Sequence, residues 1–302
     1  MRQRPDARDR TDELERASLS TWATLAAETK GRDVQEDPDP LRTAYQIDRD
    51  RLSSSAAFAK LAGKTAALEP GPAGGWRTQL DQTLLVVRLA RTLGRALRVN
   101  EDLVEAIGLG HLFGAAPFGP AGREALAAFT IFDEGEHAVR VVEHDPVGDG
   151  GGGLALTWEV RDGILHADGR TPGPATIEGQ VVVAAVRVAA PRLAPGVALQ
   201  LIADIARATG DGSAVVVDEG VAAVLRRAPA RSAGPEGTGE HRRALHCMQS
   251  LLVLATELST PGQDPERAFD QVIACTDAEA LVRYDEAFRP GGPARWSEAP
   301  TS

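Results

Sequence analysis

Apolar residues recur at helical spacing along most of this chain. Leu80, Leu84, Val87, Ala90, Leu93 and Leu97 share one face of a helix predicted over about 78–97. Asn100-Glu101-Asp102 opens a second helix that runs to Leu109. The Gly- and Pro-rich stretch from Gly108 to Gly122 then marks a turn before a short helix from Ala121 to Phe129. Further helices are predicted near 197–208, 218–227, 240–258 and 265–288. Ile177 to Ala189 is ambiguous, because Val181, Val182, Val183, Val186 and Val188 read as a buried strand on β-branched content alone.

The polar and glycine-rich segments divide the pattern. Residues 1–40 carry many charges and close with Glu36-Asp37-Pro38-Asp39-Pro40, which reads as a flexible arm despite Trp22 and Leu25. Glu69 to Gly75 is a loop by composition, Gly148 to Gly153 a flexible turn, and Gly234 to Gly239 a linker. The expected organisation is an arm over 1–40, a helical core over 41–190, a C-terminal helical part over 191–289 and a tail over 290–302. No internal repeat is evident.

Composition narrows the function classes. The 302 residues are 43% hydrophobic and 25% charged, ordinary values for a globular protein with a sizeable core. Aromatics are only 4%, which favours closely packed small-residue helices over a β-sandwich. A net charge of −10 argues against broad attraction to nucleic acid or anionic membrane. No apolar run is long enough for a membrane span, and the charged N-terminus shows no secretory signal. Cys247 and Cys275 lack the spacing of a zinc pair and read as reduced core thiols. These features together predict a cytoplasmic protein.

Several polar motifs keep a definite spacing. Arg42-Thr43 is followed by Asp48-Arg49-Asp50-Arg51, Ser55-Ala56-Ala57-Phe58 and Lys64-Thr65. Arg77-Thr78-Gln79-Leu80-Asp81-Gln82-Thr83-Leu84, the Gly110-His111-Leu112 turn and Phe132-Asp133-Glu134 come next. Leu156-Thr157-Trp158-Glu159-Val160 and Glu178-Gly179-Gln180-Val181-Val182 complete the series, with Thr157 placed as a helix cap. In this order they resemble the HD-domain deoxynucleotide triphosphohydrolases, the dGTPase-like family. The resemblance spans about 41–190 and is thin beyond. It implies an all-α, HD-domain-like helical core with additional C-terminal helices, and it makes Ile177 to Ala189 a buried helix.

The resemblance also implies where a metal site should be. Such enzymes hold manganese or magnesium with two histidines and two aspartates, and the metal-bound water attacks the α-phosphorus of a dNTP. Carried over by motif, the four ligand positions fall on Gln82, His111, Leu112 and Val186. Only His111 is a competent ligand, and a single imidazole does not hold a catalytic divalent ion. Ala115 and Pro120 stand where the family places two further histidines. Arg123 replaces a glutamate and Glu134 a histidine. His137, His144 and His166 show no ligand spacing and read as surface or supporting positions, while Asp81 with Glu134 is a remote alternative carboxylate pair.

The expected function is therefore a catalytically inactive member with no metal cofactor and no catalytic residue, retained for nucleotide binding, regulation or assembly. Arg42, Arg49, Arg51 and Lys64 are the candidates for dNTP phosphate contact, with ion pairing as their structural alternative. Assembly as a homo-oligomer, or with a related active protein, is implied by the resemblance. The alternatives are a residual or altered dNTP triphosphohydrolase and a pure scaffold subunit.

Overall fold

The computed structural model describes residues 6–70, 76–144, 153–191, 193–228, 238–258 and 265–288. Among these residues the fold is all-α, as the sequence predicts, with one two-stranded sheet. The helices in chain order are α1 (Ala7–Ser18), α2 (Ala44–Ser54), α3 (Ala56–Lys60), α4 (Gln79–Leu97) and α5 (Glu101–Gly110). They continue as α6 (Pro120–Ala127), α7 (Glu134–His144), α8 (Trp158–Leu165), α9 (Ile177–Ala189) and α10 (Pro195–Thr209). The last four are α11 (Glu219–Arg227), α12 (Gly239–Leu258), α13 (Pro265–Ile273) and α14 (Asp277–Phe288). No helix among the described residues is long and apolar enough to cross a membrane.

Local chemistry accounts for the helix starts. Thr43 and Gln46 form a reciprocal capping box at α2, and Thr78 with Asp81 forms another at α4. Asn100 Oδ1 accepts from the Asp102 and Leu103 amides at the start of α5. Ile177 to Ala189 is helical: Val181, Val182, Ala185 and Val188 are buried against the rest of the core, so tertiary burial outweighs β-branched propensity. Thr157 occupies the N-cap of α8, but its side chain does not cap the helix. The hydroxyl donates instead to Asp48 Oδ2 at 2.6 Å.

Three features depart from the expected organisation. First, β1 (Thr65–Pro70) pairs antiparallel with β2 (Trp76–Thr78), so Glu69 and Pro70 end a strand and only 71–75 of the expected loop lie outside the described residues. Second, residues 6–40 are clamped to the core. Glu178 accepts from Thr24 N and Oγ1, Glu159 from Lys30 N and Thr29 Oγ1, and Asp48 pairs with Arg32. Charged composition predicts mobility here because the buried partners lie far away in sequence. Third, residue 190 is not a packing boundary. α10 and Val221 of α11 join the large core of α2, α4, α5, α8 and α9. α6 instead joins α12, α13 and α14 in a second apolar cluster built on Leu126, Met248, Leu251 and Val272. The predicted tail (290–302) and most of the 148–153 and 234–239 segments lie outside the described residues.

Candidate functional site

A cavity of about 250 Å³ lies where α4, the turn after α5, α6, α7, α8, α9 and β1 converge. Gln82 reaches it from α4, His111 and Leu112 from the turn, and Val186 from α9. The four positions, inferred from three separate motifs, thus line one cavity. Ile164 and Ala167 add apolar wall, while Arg123, Glu134 and Asp168 stand at its polar side. Close backbone packing places Glu134 there. A Cβ on Gly114 would sit 2.0 Å from the Glu134 carbonyl oxygen, and one on Gly135 would sit 2.2 Å from that of Leu165. Only glycine lets the turn, α7 and the end of α8 approach so closely.

The polar atoms facing the cavity have definite roles. His111 Nδ1 lies 2.7 Å from Gly108 O; a carbonyl only accepts, so this nitrogen carries the proton and Nε2 keeps its lone pair. Burial pulls the His111 pKa down to about 4, which keeps the ring neutral at physiological pH. Gln82 Nε2 donates to Ala189 O at 3.3 Å, and Gln82 Oε1 is buried with no hydrogen-bond partner. Arg123 Nη1 faces Glu134 Oε1 at 3.5 Å. Burial raises the Glu134 carboxyl above the usual carboxylate range, with Arg123 and Lys64 pulling it back. Asp168 is held by Arg170, whose main-chain amide donates to Oδ1 at 2.9 Å.

This donor set does not fit a catalytic divalent cation. The four ligand positions offer one imidazole, one neutral amide and two aliphatic side chains, with no carboxylate among them. Nor do three or more His, Cys, Asp or Glu gather in a metal-binding group anywhere among the described residues. The alternative pair does not form either: Asp81 is exposed and engaged with Thr78 at the α4 cap, away from Glu134.

The four basic candidates are not brought into the cavity. Arg42 pairs with Asp39 and Asp50 on the surface. Arg49 pairs with Asp102 at 2.6 Å, and Arg51 with Glu36 at 2.7 Å while donating to Ala155 O at 2.9 Å. Lys64 is buried, its Nζ donating to Ala115 O at 2.6 Å and Ile273 O at 2.9 Å. Of the two readings of His137, surface or supporting position, the surface one does not hold: the ring is buried with Nε2 3.1 Å from Asp270 Oδ1. His144 and His166 each bond a carbonyl four residues earlier in their own helix. Sequence reasoning missed Gln79 and Asp168 in the lining; Asp168 follows α8 with no motif to mark it.

Part of the chain is similar to known proteins. The chain is 45% identical over 185 residues to a deoxyguanosinetriphosphate triphosphohydrolase-like protein of Caldanaerobacter subterraneus subsp. tengcongensis, covering 60% of this chain and 53% of that one. Over this stretch the chain is a relative of the dGTPase-like proteins. A protein of the same description from Desulfatibacillum aliphaticivorans is 41% identical over 186 residues (58% of this chain, 52% of that one). A third, from Brucella anthropi, is 41% identical over 155 residues (49% and 38%). The chain spans about half the length of the first two dGTPase-like relatives, and no family model matches it. A solved structure of a hypothetical protein from Aquifex aeolicus superposes with a TM-score of 0.45 at 15% identity, covering 78% of this chain and 66% of that one.

Proposed function

We propose that this chain is an HD-type dGTPase-like protein that has lost metal-dependent dNTP hydrolysis and serves by binding or assembly. One observation carries the reading. Gln82, the adjacent His111 and Leu112, and Val186, matched to ligand positions through three separate motifs, share a single cavity yet supply only one metal-binding side chain. An amide and two alkyl groups cannot offset the dehydration of a divalent ion, so no activated water forms at neutral pH. Assembly with copies of itself, or with a related active protein, belongs to the same proposal.

Nucleotide phosphate contact at Arg42, Arg49 and Arg51 is the weaker part of this reading, since each guanidinium already has a carboxylate partner. Lys64 is removed from it, because its ammonium is buried on two carbonyls.

The test is direct. Incubation with a panel of dNTPs and manganese should release neither deoxynucleoside nor tripolyphosphate, and manganese alone should not raise the melting temperature. The triple variant Gln82→His, Leu112→Asp, Val186→Asp should gain a manganese-dependent shift. Metal-dependent product release by the wild-type protein overturns the proposal.

A further inference from the structure

Residues 19–40 meet the core at one end of its helices, and the cavity lies at the other. Ser20 N donates to the carbonyl of Arg98, the C-cap of α4, at 2.7 Å. Asn100, the N-cap of α5, donates through Nδ2 to Thr24 O at 3.1 Å. In the first turn of α8, Trp158 N donates to Gly31 O at 2.9 Å and Glu159 accepts from Thr29 and Lys30. In the first turn of α9, Glu178 accepts from Thr24. The same four helices carry cavity wall at their opposite ends. Gln82 is in the first turn of α4, His111 directly follows α5, and Ile164 and Val186 lie in the last turns of α8 and α9. At a rise of about 1.5 Å per residue, the run from Asn100 to His111 spans about 16 Å.

The segment itself is held with little packing. Within residues 19–40 the buried apolar side chain is Ala26, and Trp22 is 53% exposed, so hydrogen bonds and ion pairs carry the attachment. The helices, by contrast, are packed without slack. Val86, Ile107, Val160 and Val182 are fully buried in one core, and a Cβ on Gly163 of α8 would fall 2.4 Å from the Ile107 side chain of α5. A displacement at one end of such rods is carried to the other. We infer that residues 19–40 act as a regulatory strap on the cavity. Attached, the strap holds α4, α5, α8 and α9 in the register that shapes the cavity; released, it lets those helices shift and the cavity change form. By reciprocity, whatever alters the cavity alters the hold on the strap. The inference does not depend on whether metal-dependent hydrolysis is lost.

Thr24→Val removes the hydroxyl that donates to Glu178, and Thr29→Val the one that donates to Glu159, so each loosens the strap on a different helix. In the full-length chain the Thr24 and Lys30 amides should exchange about tenfold faster in either variant. The methyl NMR resonances of Leu112, Ile164 and Val186 should shift in both variants and in the same direction, while those of Leu251 and Val272 in the second cluster stay in place. Thr24→Asp sets a second carboxylate against Glu178 and should enlarge the cavity shifts, with α12 amide protection unchanged. Faster strap exchange with unmoved cavity methyls overturns the inference. Equal shifts in both clusters overturn it as well, because they signal a general loosening. Cavity methyls that stay fixed in Thr24→Asp overturn it whatever the milder variants do.

Discussion

His111 is held in place by contacts within the protein alone. Its ring is fixed by the 2.7 Å bond to Gly108 O, a contact within one helical turn that needs no metal. Burial lowers its pKa from 6.5 to about 4, so the unfolded chain takes up a proton between those values and the native chain does not. Stability from this group is complete above pH 6.5 and is lost as pH falls toward 4. The shift corresponds to about 3 kcal/mol. Urea unfolding of wild type and His111→Gln at neutral pH and at pH near 4 should show the difference between them moving by about that amount in favour of the variant. A difference that does not change with pH would mean the ring is hydrated. Arg49 and Asp48 teach a related lesson. Arg49 reads from sequence as either an ion-pair partner or a phosphate ligand and pairs with Asp102, while the neighbouring aspartate is the fully buried residue, holding Arg32 and Thr157 at once.

Individual elements were legible in the sequence wherever their cause was local. α4 begins at the Thr78–Asp81 capping box and α5 at Asn100, both written in adjacent residues. Gln82, His111, Leu112 and Val186 line one cavity although they come from three motifs far apart in sequence, and it is resemblance rather than local spacing that groups them. What was not legible depends on contacts across long sequence separations. α1 and the segment after it look like a charged arm until their partners are known: Glu178 lies 154 residues from Thr24, and Glu159 lies 129 residues from Lys30. Three motif carboxylates, Asp48, Glu159 and Glu178, are acceptors for this segment. Glu178 takes the amides of Thr24 (2.9 Å) and Asn100 (3.1 Å) and the Thr24 hydroxyl (2.8 Å). Glu178→Gln would point an NH₂ group at some of these donors, leaving buried groups unsatisfied at a cost of about 2–3 kcal/mol. The Thr24 amide should then exchange with solvent faster than amides in α4. Unchanged protection at Thr24 would show that the clamp does not depend on this carboxylate.

At the scale of the molecule, two apolar clusters meet along a seam that runs beside the cavity. α6 lies on the far side of that seam with α12, α13 and α14, although its sequence belongs to the dGTPase-like stretch. Two buried or partly buried polar groups join the sides. Asp277 at the start of α14 accepts from Thr65 N at 3.0 Å, tying the second cluster to β1, and from Phe118 N at 2.7 Å within that cluster. Lys64 donates to Ala115 O on one side and to Ile273 O at the end of α13 on the other. Burial pushes the Lys64 pKa down to about 8, against 10.5 for a free lysine. Between those values the unfolded chain keeps a proton that the native chain has lost, so this group adds stability as pH rises from 8 to 10.5. Wild type should therefore gain about 3 kcal/mol relative to Lys64→Met across that interval, measured by urea unfolding. At neutral pH, Lys64→Met removes a costly buried charge but leaves two carbonyls without donors. Its sharper consequence is for cooperativity: with Ala115 and Ile273 no longer bridged, the second cluster should lose amide protection before the first. Simultaneous loss of protection in α4 and α12 in that variant would show that Asp277 and the apolar seam are sufficient to hold the two clusters together.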